Sequence, residues 1–246
     1  MNFSYREDQL LVRDTVRAFV RSRIVPNAAG WNEKGEFPLD LVPELAALGL
    51  TGLAVPHEYG GAELDVLTIA LVMEELGAGD GSVALTIAAH NSLCIGHLLI
   101  AANEEQKSRW LPPLARGQYL GCWALTEPSS GSDAVSVQSR ARRDGDGYML
   151  SGTKQFITNG SIAGFAVILA GIGERKLSAF GVARGTTGFR VGRREEKMGL
   201  HASDTAQLVL EDCRVPAADR IGREGEAFTD VKRVLDRGRV GIAALA

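Results

Sequence analysis

The sequence predicts an α+β multidomain chain: an N-terminal all-α helical domain over 1–119, a middle antiparallel β-sandwich or barrel over 120–224, and the first helix of a C-terminal helical domain over 225–246. Three observations predict it. Up to about residue 119 apolar residues recur at helical spacing. From about 120 they alternate in short runs between glycine-bearing turns, with no helix between the runs. From 225 the helical spacing returns.

Ser4 and Glu7 have the spacing of a capping box, so the first helix is expected to open at Ser4. Val12, Val16, Val20 and Ile24 form its apolar stripe, Phe19 widens it, and Pro26 is expected to stop it. Asp40 opens a second helix, with Pro43 in the first turn, where a missing N–H costs little, and Gly49 at its C-terminal cap. His57-Glu-Tyr-Gly-Gly61 reads as a turn that leaves His57 on the surface. Asp65 caps a third helix, apolar on nearly every face from Val66 to Met73 and therefore buried. Val83–Ala102 is about as long as a membrane span, but His90, Asn91, Ser92, Gly96 and His97 would be costly in lipid, so it reads as a helix buried in protein. Asn103 and Gln106 form another capping box, for a helix that Pro112 and Pro113 interrupt and Gly117 ends.

Val135 to Ala141 alternates in strand fashion, meets the turn Asp144-Gly-Asp-Gly147 and returns through Tyr148-Met-Leu150, a hairpin signal. Further strands are expected at Phe156–Thr158, Phe165–Ala170, Leu177–Ala183, Phe189–Val191 and Ala206–Leu210. Ala227, Val231, Val234 and Leu235 then share a helical face. The apolar run continues through Val240 to Leu245 with no cap residue, which predicts that the helical domain extends past Ala246.

Composition narrows the function classes. Twenty-seven basic against 30 acidic residues leave a net charge of −3, which offers no electrostatic footprint for nucleic acid or an anionic membrane. Three dispersed cysteines, Cys94, Cys122 and Cys213, read as buried thiols of a cytoplasmic protein, and four scattered histidines give no metal pattern. No strand–GxGxxG–helix or Walker A sequence occurs, so a Rossmann-bound nicotinamide is not expected.

The candidate site is Trp123-Ala124-Leu125-Thr126-Glu127-Pro128-Ser129-Ser130-Gly131-Ser132, an apolar strand that turns abruptly into hydroxyl-bearing residues. Proline fixes one backbone angle and glycine frees another, so such a loop can present its N–H groups to a ligand. Its partner is Lys154-Gln-Phe156-Ile157-Thr158-Asn-Gly160. A planar aromatic cofactor needs a flat apolar wall and hydroxyl or amide donors for its edge, and Trp123, Leu125, Thr126, Phe156 and Thr158 supply both. Each motif alone would also pass as an ordinary strand end. His90, Asn91 and His97 read as core residues with satisfied hydrogen bonds, and the charged residues of the last helix as a solvated face.

Taken together and in order, Pro56-His-Glu-Tyr-Gly-Gly61, Glu104-Glu-Gln-Lys107 with Trp110-Leu-Pro112, Leu125-Thr-Glu-Pro128 with Gly131-Ser-Asp133, Lys154 to Gly160, Lys197-Met-Gly199 with Ser203-Asp-Thr205, and Arg237-Gly-Arg-Val-Gly241 closely resemble the acyl-CoA dehydrogenase family, along the whole chain. The Pro-Ser-Ser-Gly-Ser-Asp form is most similar to the short-chain, butyryl-type members. The resemblance implies FAD as cofactor, an acyl-CoA thioester as substrate and an electron-transferring flavoprotein as onward partner, in a homodimer or homotetramer. It implies that Trp123–Ser132 and Phe156-Ile157-Thr158 bind the flavin, with Thr126 at the ring edge. It also implies that Ser132, Asp236, Arg237, Gly238 and Arg239 meet the acyl-CoA, Arg239 as the main polar contact.

Phe156 stands where the family more often has Trp, a smaller ring without the indole N–H. The family's catalytic Glu lies either far down the C-terminal domain or at the position of Gly238, so no catalytic base is expected in this chain and one is expected beyond Ala246. Glu127 suits turn stabilisation better than that role. Two other readings stay open: a relative that oxidises a carrier-protein-bound acyl group or a nitroalkane, and a non-catalytic fragment.

Overall fold

The computed structural model describes residues 4–174 and 176–246. Helix α1 (Glu7–Phe19) opens two residues later than Ser4 and Glu7 predict, with Arg6 at its N-cap. The Gln9 side chain accepts from the Arg6 N–H at 3.0 Å, while Arg6 and Gln9 both reach Asp65, so a tertiary contact selects the start. Pro26 does not stop the helix. A π turn over Val20–Ile24, with the Val25 N–H bonded to the Val20 carbonyl, widens the helix just ahead of the proline, and α2 (Val25–Lys34) carries Pro26 in its first turn. The stripe is as expected: Val16, Val20 and Ile24 are buried.

Helix α3 (Val42–Ala47) has Pro43 in its first turn, preceded by a short 3₁₀ turn at Leu39–Leu41. Asp65 caps α4 (Val66–Gly79) by accepting from the N–H groups of Leu67 and Thr68. The long apolar segment forms α5 (Gly81–Ala88), a π turn over Ala89–Ile95 and α6 (Gly96–Ala101), long and apolar enough to cross a membrane but mostly buried inside the protein. In α7 (Glu104–Ala115) the Asn103–Gln106 box is present at 2.8 and 3.1 Å. Pro112 and Pro113 lie inside this helix and do not interrupt it, because Trp110, Leu111, Leu114 and Ala115 hold its last turns by burial. Gly117, at φ +62°, ends it.

Eight strands follow: β1 (Gly121–Ala124), β2 (Arg140–Asp144), β3 (Gly147–Thr158), β4 (Phe165–Gly173), β5 (Lys176–Ala183), β6 (Phe189–Arg194), β7 (Thr205–Pro216) and β8 (Arg220–Ile221). They form a mostly antiparallel sheet in the order β6-β7-β3-β2-β4-β5-β8, with β1 added parallel to β4. Of the strand expected over Val135–Ala141, only Arg140 and Ala141 lie in one, at the start of β2. Its backbone N–H groups at Gln138 and Ser139 donate to the Glu127 carboxylate instead of to a neighbouring strand. Strand β4 is apolar at successive positions because both its faces are covered. Ala166, Ile168 and Ala170 join Tyr148, Leu150, Phe180, Val182, Leu208 and Leu210 in a core enclosed by the curled sheet. Phe165, Val167 and Leu169 face a second core with Trp110, Leu111 and Leu114 of α7 and with Val231 and Val234 of α8 (Ala227–Leu245).

A buried polar seam joins the helices to β1. The Gly121 N–H donates to Nδ1 of His90 at 2.8 Å, which leaves Nε2 protonated to donate to the Thr51 carbonyl at 2.9 Å. Seven residues on, Nδ1 of His97 accepts from the Trp123 indole at 3.3 Å. The amide of Asn159 donates to the carbonyls of Thr86 and Gly121. The approach is close: a Cβ on Gly121 would lie 2.4 Å from Sγ of Cys94.

Two predictions follow from the seam. Gly121→Ala forces β1 away from Cys94 of the π turn and should lower stability by about 1–3 kcal/mol, read as a lower urea midpoint. Burial pushes the imidazoles of His90 and His97 down to about 4, against an ordinary value of 6.5. Between those values the unfolded chain binds protons that the folded chain does not, so stability falls as pH falls through that window, by up to about 3 kcal/mol per imidazole. His97→Gln keeps an acceptor for the indole and cannot titrate. Its unfolding free energy should therefore drop less than that of the wild type between pH 7 and pH 4.

Candidate functional site

Strand β1 alternates its side chains between the two cores, and that alternation places the first site residues. Trp123 and Leu125 point to the helices and are buried, while Ala124 is buried inside the curled sheet. The chain then leaves the strand. Glu127 and Ser130 close a tight turn through reciprocal backbone hydrogen bonds of 2.8 and 3.2 Å, with Pro128 and Ser129 exposed at its tip. Ser130 is buried and its hydroxyl donates to the Asp133 carbonyl, fixing the turn's exit. Gly131 and Ser132 are exposed, and a Cβ on Gly131 would meet nothing within 4 Å.

The structure brings this loop to the second motif. The Gln155 N–H donates to the Thr126 carbonyl at 2.8 Å, so Thr126 lies beside the residue that precedes Phe156. One position earlier, the Lys154 ammonium donates to the Leu125 carbonyl at 3.1 Å and to the Glu127 carboxylate at 2.7 Å. Burial pushes the Lys154 ammonium down to about 8, against the pull of Glu127. For Glu127 burial acts upward, but the Lys154 charge and the N–H groups of Ser139 and Gln138 outweigh it and hold the carboxyl below its ordinary value. At neutral pH the pair is ionic.

Beyond Lys154 the ladder between β3 and β7 loses register, resuming at Ile157. Phe156 sits on that bulge at φ +57°, a left-handed conformation that a bulky residue adopts only under constraint. The residue is 61% exposed, whereas Ile157 is buried. Asn159, also left-handed, turns the chain away. The hydroxyls of Thr126, Ser129, Ser132 and Thr158 make no hydrogen bond to any described residue. An exposed ring held on a rigid bulge, with free hydroxyls beside it, fits the face and edge of a flat heteroaromatic group.

The substrate candidates on α8 are not gathered at this loop. Arg239 is exposed and paired with Asp236 at 2.6 Å. Gly238 is buried against Ser92 and Leu93. Arg237 instead lines a cavity of about 320 Å³ between α4, α6 and α8, whose other walls include Leu53, Leu64, Ile69, Leu99 and Val240.

Two features had no assigned role in the sequence reading. Lys154 lies inside a quoted motif, and its signal was a lysine placed among the core positions of a strand. His97 was read as a satisfied core histidine, yet its Nε2–H has no partner among the described residues. His90 and Asn91 are satisfied as expected, and Glu127 is held as a turn-stabilising carboxylate.

Residues 6–118 match the acyl-CoA dehydrogenase N-terminal domain and residues 122–213 match its middle domain. The short-chain-specific acyl-CoA dehydrogenase of Clostridium acetobutylicum is 40% identical over all of this chain, which spans 66% of that protein. The butyryl-CoA dehydrogenase structure from Megasphaera elsdenii superposes with a TM-score of 0.96 at 37% identity, over 100% of this chain and 66% of that one. A glutaryl-CoA dehydrogenase from Mycobacterium smegmatis, solved in complex with FADH2, gives a TM-score of 0.92 at 36% identity, over 98% of this chain and 61% of that one. The chain spans between 59% and 66% of the length of the curated relatives it matches. With both domains matched in order, and 40% identity along its whole length, the chain belongs to the acyl-CoA dehydrogenase family.

Proposed function

We propose that this chain carries the FAD-binding part of a short-chain acyl-CoA dehydrogenase. The observation that carries the reading is the exposed, left-handed Phe156 ring, fixed beside Thr126 by the Gln155–Thr126 hydrogen bond. FAD, when bound, supplies the acceptor for the hydride that leaves the acyl chain as an α,β double bond forms.

The chain's own residues bind and orient. Phe156 covers one flank of the ring system, with the buried Ile157 anchoring its strand from inside the sheet, and Thr126 and Thr158 offer free hydroxyls to its polar edge. Ser129, Ser130, Gly131 and Ser132, in the turn that follows Glu127 and Pro128, bring hydroxyls and backbone N–H groups to the remainder of the cofactor. Trp123, Ala124 and Leu125 support the loop from behind. The apolar cavity between α4, α6 and α8 takes a short acyl chain, and Arg237, not Arg239, is the cation that lines it. Asp236 and Arg239 occupy each other. Ser132 lies where loop and thioester meet.

Proton abstraction from the α-carbon needs a base with a free lone pair. Glu127 is ill placed for that role, because its carboxylate is buried and already accepts from Lys154 and two backbone N–H groups. Gly238 supplies no carboxylate. These 246 residues therefore bind flavin without turning over acyl-CoA by themselves. An electron-transferring flavoprotein is the onward partner of the complete enzyme, a cytoplasmic homodimer or homotetramer.

The experiment adds FAD to the purified 246-residue chain, removes the excess, and reads flavin absorbance together with butyryl-CoA turnover. Retained flavin bands without enoyl-CoA are expected. Protein that stays colourless would defeat the cofactor reading, and enoyl-CoA formation would defeat the assignment of the base.

A further inference from the structure

The Lys154 ammonium is fully buried, and every contact it makes ties the two halves of the site together. It donates to the Leu125 carbonyl at 3.1 Å and to Oε1 of Glu127 at 2.7 Å. Glu127 in turn collects the backbone N–H groups of Gln138 and Ser139, 11 and 12 residues further on. One buried ion pair thus fixes three strands of chain: the exit of β1, the return limb before β2, and β3 immediately before the bulge. The Gln155 side chain donates to Glu195, just past the end of β6, and accepts from Gln207 of β7 at 3.0 Å, which braces the bulge from those two segments.

Such a pair adds little net stability compared with a well-packed apolar alternative, because desolvating two charges offsets most of their attraction. What it does supply is geometry. Apolar side chains at 127 and 154 would fill the space, but they would give the Gln138 and Ser139 N–H groups nothing to bond. The loop would then be free to slide along β3.

We infer that Lys154, acting through Glu127, is the positioning residue that sets the separation between the Thr126 hydroxyl and the Phe156 ring. It touches neither a cofactor nor a substrate. This inference rests on the flavin reading above, and two readouts keep the two ideas apart.

The first readout needs no flavin. In Lys154→Met and Glu127→Gln, at a temperature where circular dichroism shows both variants folded, amide hydrogen exchange should rise in 125–139 and 155–158. Protection in the helical core around Leu45 and Ile87 should not change. Exchange that rises evenly across the chain, or that stays at the wild-type level in 125–139, would overturn the inference. The second readout is FAD affinity. Lys154→Met should weaken binding at least about tenfold, and Glu127→Gln by less, since its amide oxygen still accepts from Ser139. Leu45→Ala, a cavity in the remote helical core, serves as the equally destabilised control and should bind FAD like the wild type.

If the control loses as much affinity as Lys154→Met, the pair is a general stabiliser and the inference fails. Should Lys154→Met not fold, Glu127→Gln carries both readouts, and wild-type exchange in that variant counts against the proposal. A wild-type chain that binds no FAD overturns the functional reading and leaves the exchange result to decide the positioning role.

Discussion

The hydrogen bond from the Gly121 N–H to Nδ1 of His90 is the contact on which the rest of the arrangement depends. β1 is a four-residue strand that, among the described residues, pairs only with β4, so its second edge would otherwise offer unpaired backbone groups to the helices. His90 takes the N–H of Gly121, and the amide of Asn159 reaches its carbonyl. A fully buried imidazole can do this only while neutral, and the downward shift of its titration shows that the surroundings favour that form. Asn91, next in the same π turn, accepts from the Leu53 N–H and donates to the carbonyls of Leu50 and Ile87. One wide helical turn therefore anchors the strand that launches the candidate loop and the connection that follows α3.

Local rules were legible where the interaction itself is local. The Asp65 cap, the Asn103–Gln106 box, the left-handed Gly49 and the buried stripe of Val16, Val20 and Ile24 all stand as their spacing implies. Signals failed where a distant partner outbid a local preference. Ser4 lost the first helix start because Arg6 and Gln9 bond Asp65, more than fifty residues away. Pro26 and the Pro112–Pro113 pair are read as breakers by any local rule, yet a π turn and a buried last turn accommodate them. Val135–Ala141 has strand spacing, but Gln138 and Ser139 give their N–H groups to Glu127 and the strand begins only at Arg140.

The site divides the same way. That Trp123–Ser132 and Phe156–Thr158 belong together was legible in their composition and in the family likeness. What holds them together was not, because the Thr126–Gln155 and Glu127–Lys154 contacts bridge nearly thirty residues and depend on β1 and β3 lying in one curled sheet. Nor does sequence show that β1 sends Trp123 and Leu125 into the helical core, so that the loop's outward chemistry begins only at Thr126. The division of Arg237 from Arg239 likewise comes from the turn of α8 against α4 and α6, which buries Gly238 and Gly241 and leaves neighbours on different faces.

Phe156 carries two costs at once. A bulky side chain in a left-handed conformation costs on the order of 1–3 kcal/mol, and the residue, 61% exposed, forgoes the burial that would ordinarily repay an aromatic residue. Glycine at this position would remove the first cost, and a polar residue would remove the second. The chain keeps neither remedy, and it ties the residues on either side of Phe156 into the structure. Ile157 is buried on one side, and the bridge from Gln155 to Thr126 and the Lys154 ion pair hold the other. A ring held that firmly and left uncovered loses little conformational freedom when a flat partner stacks on it, so nearly all the area then buried counts toward affinity.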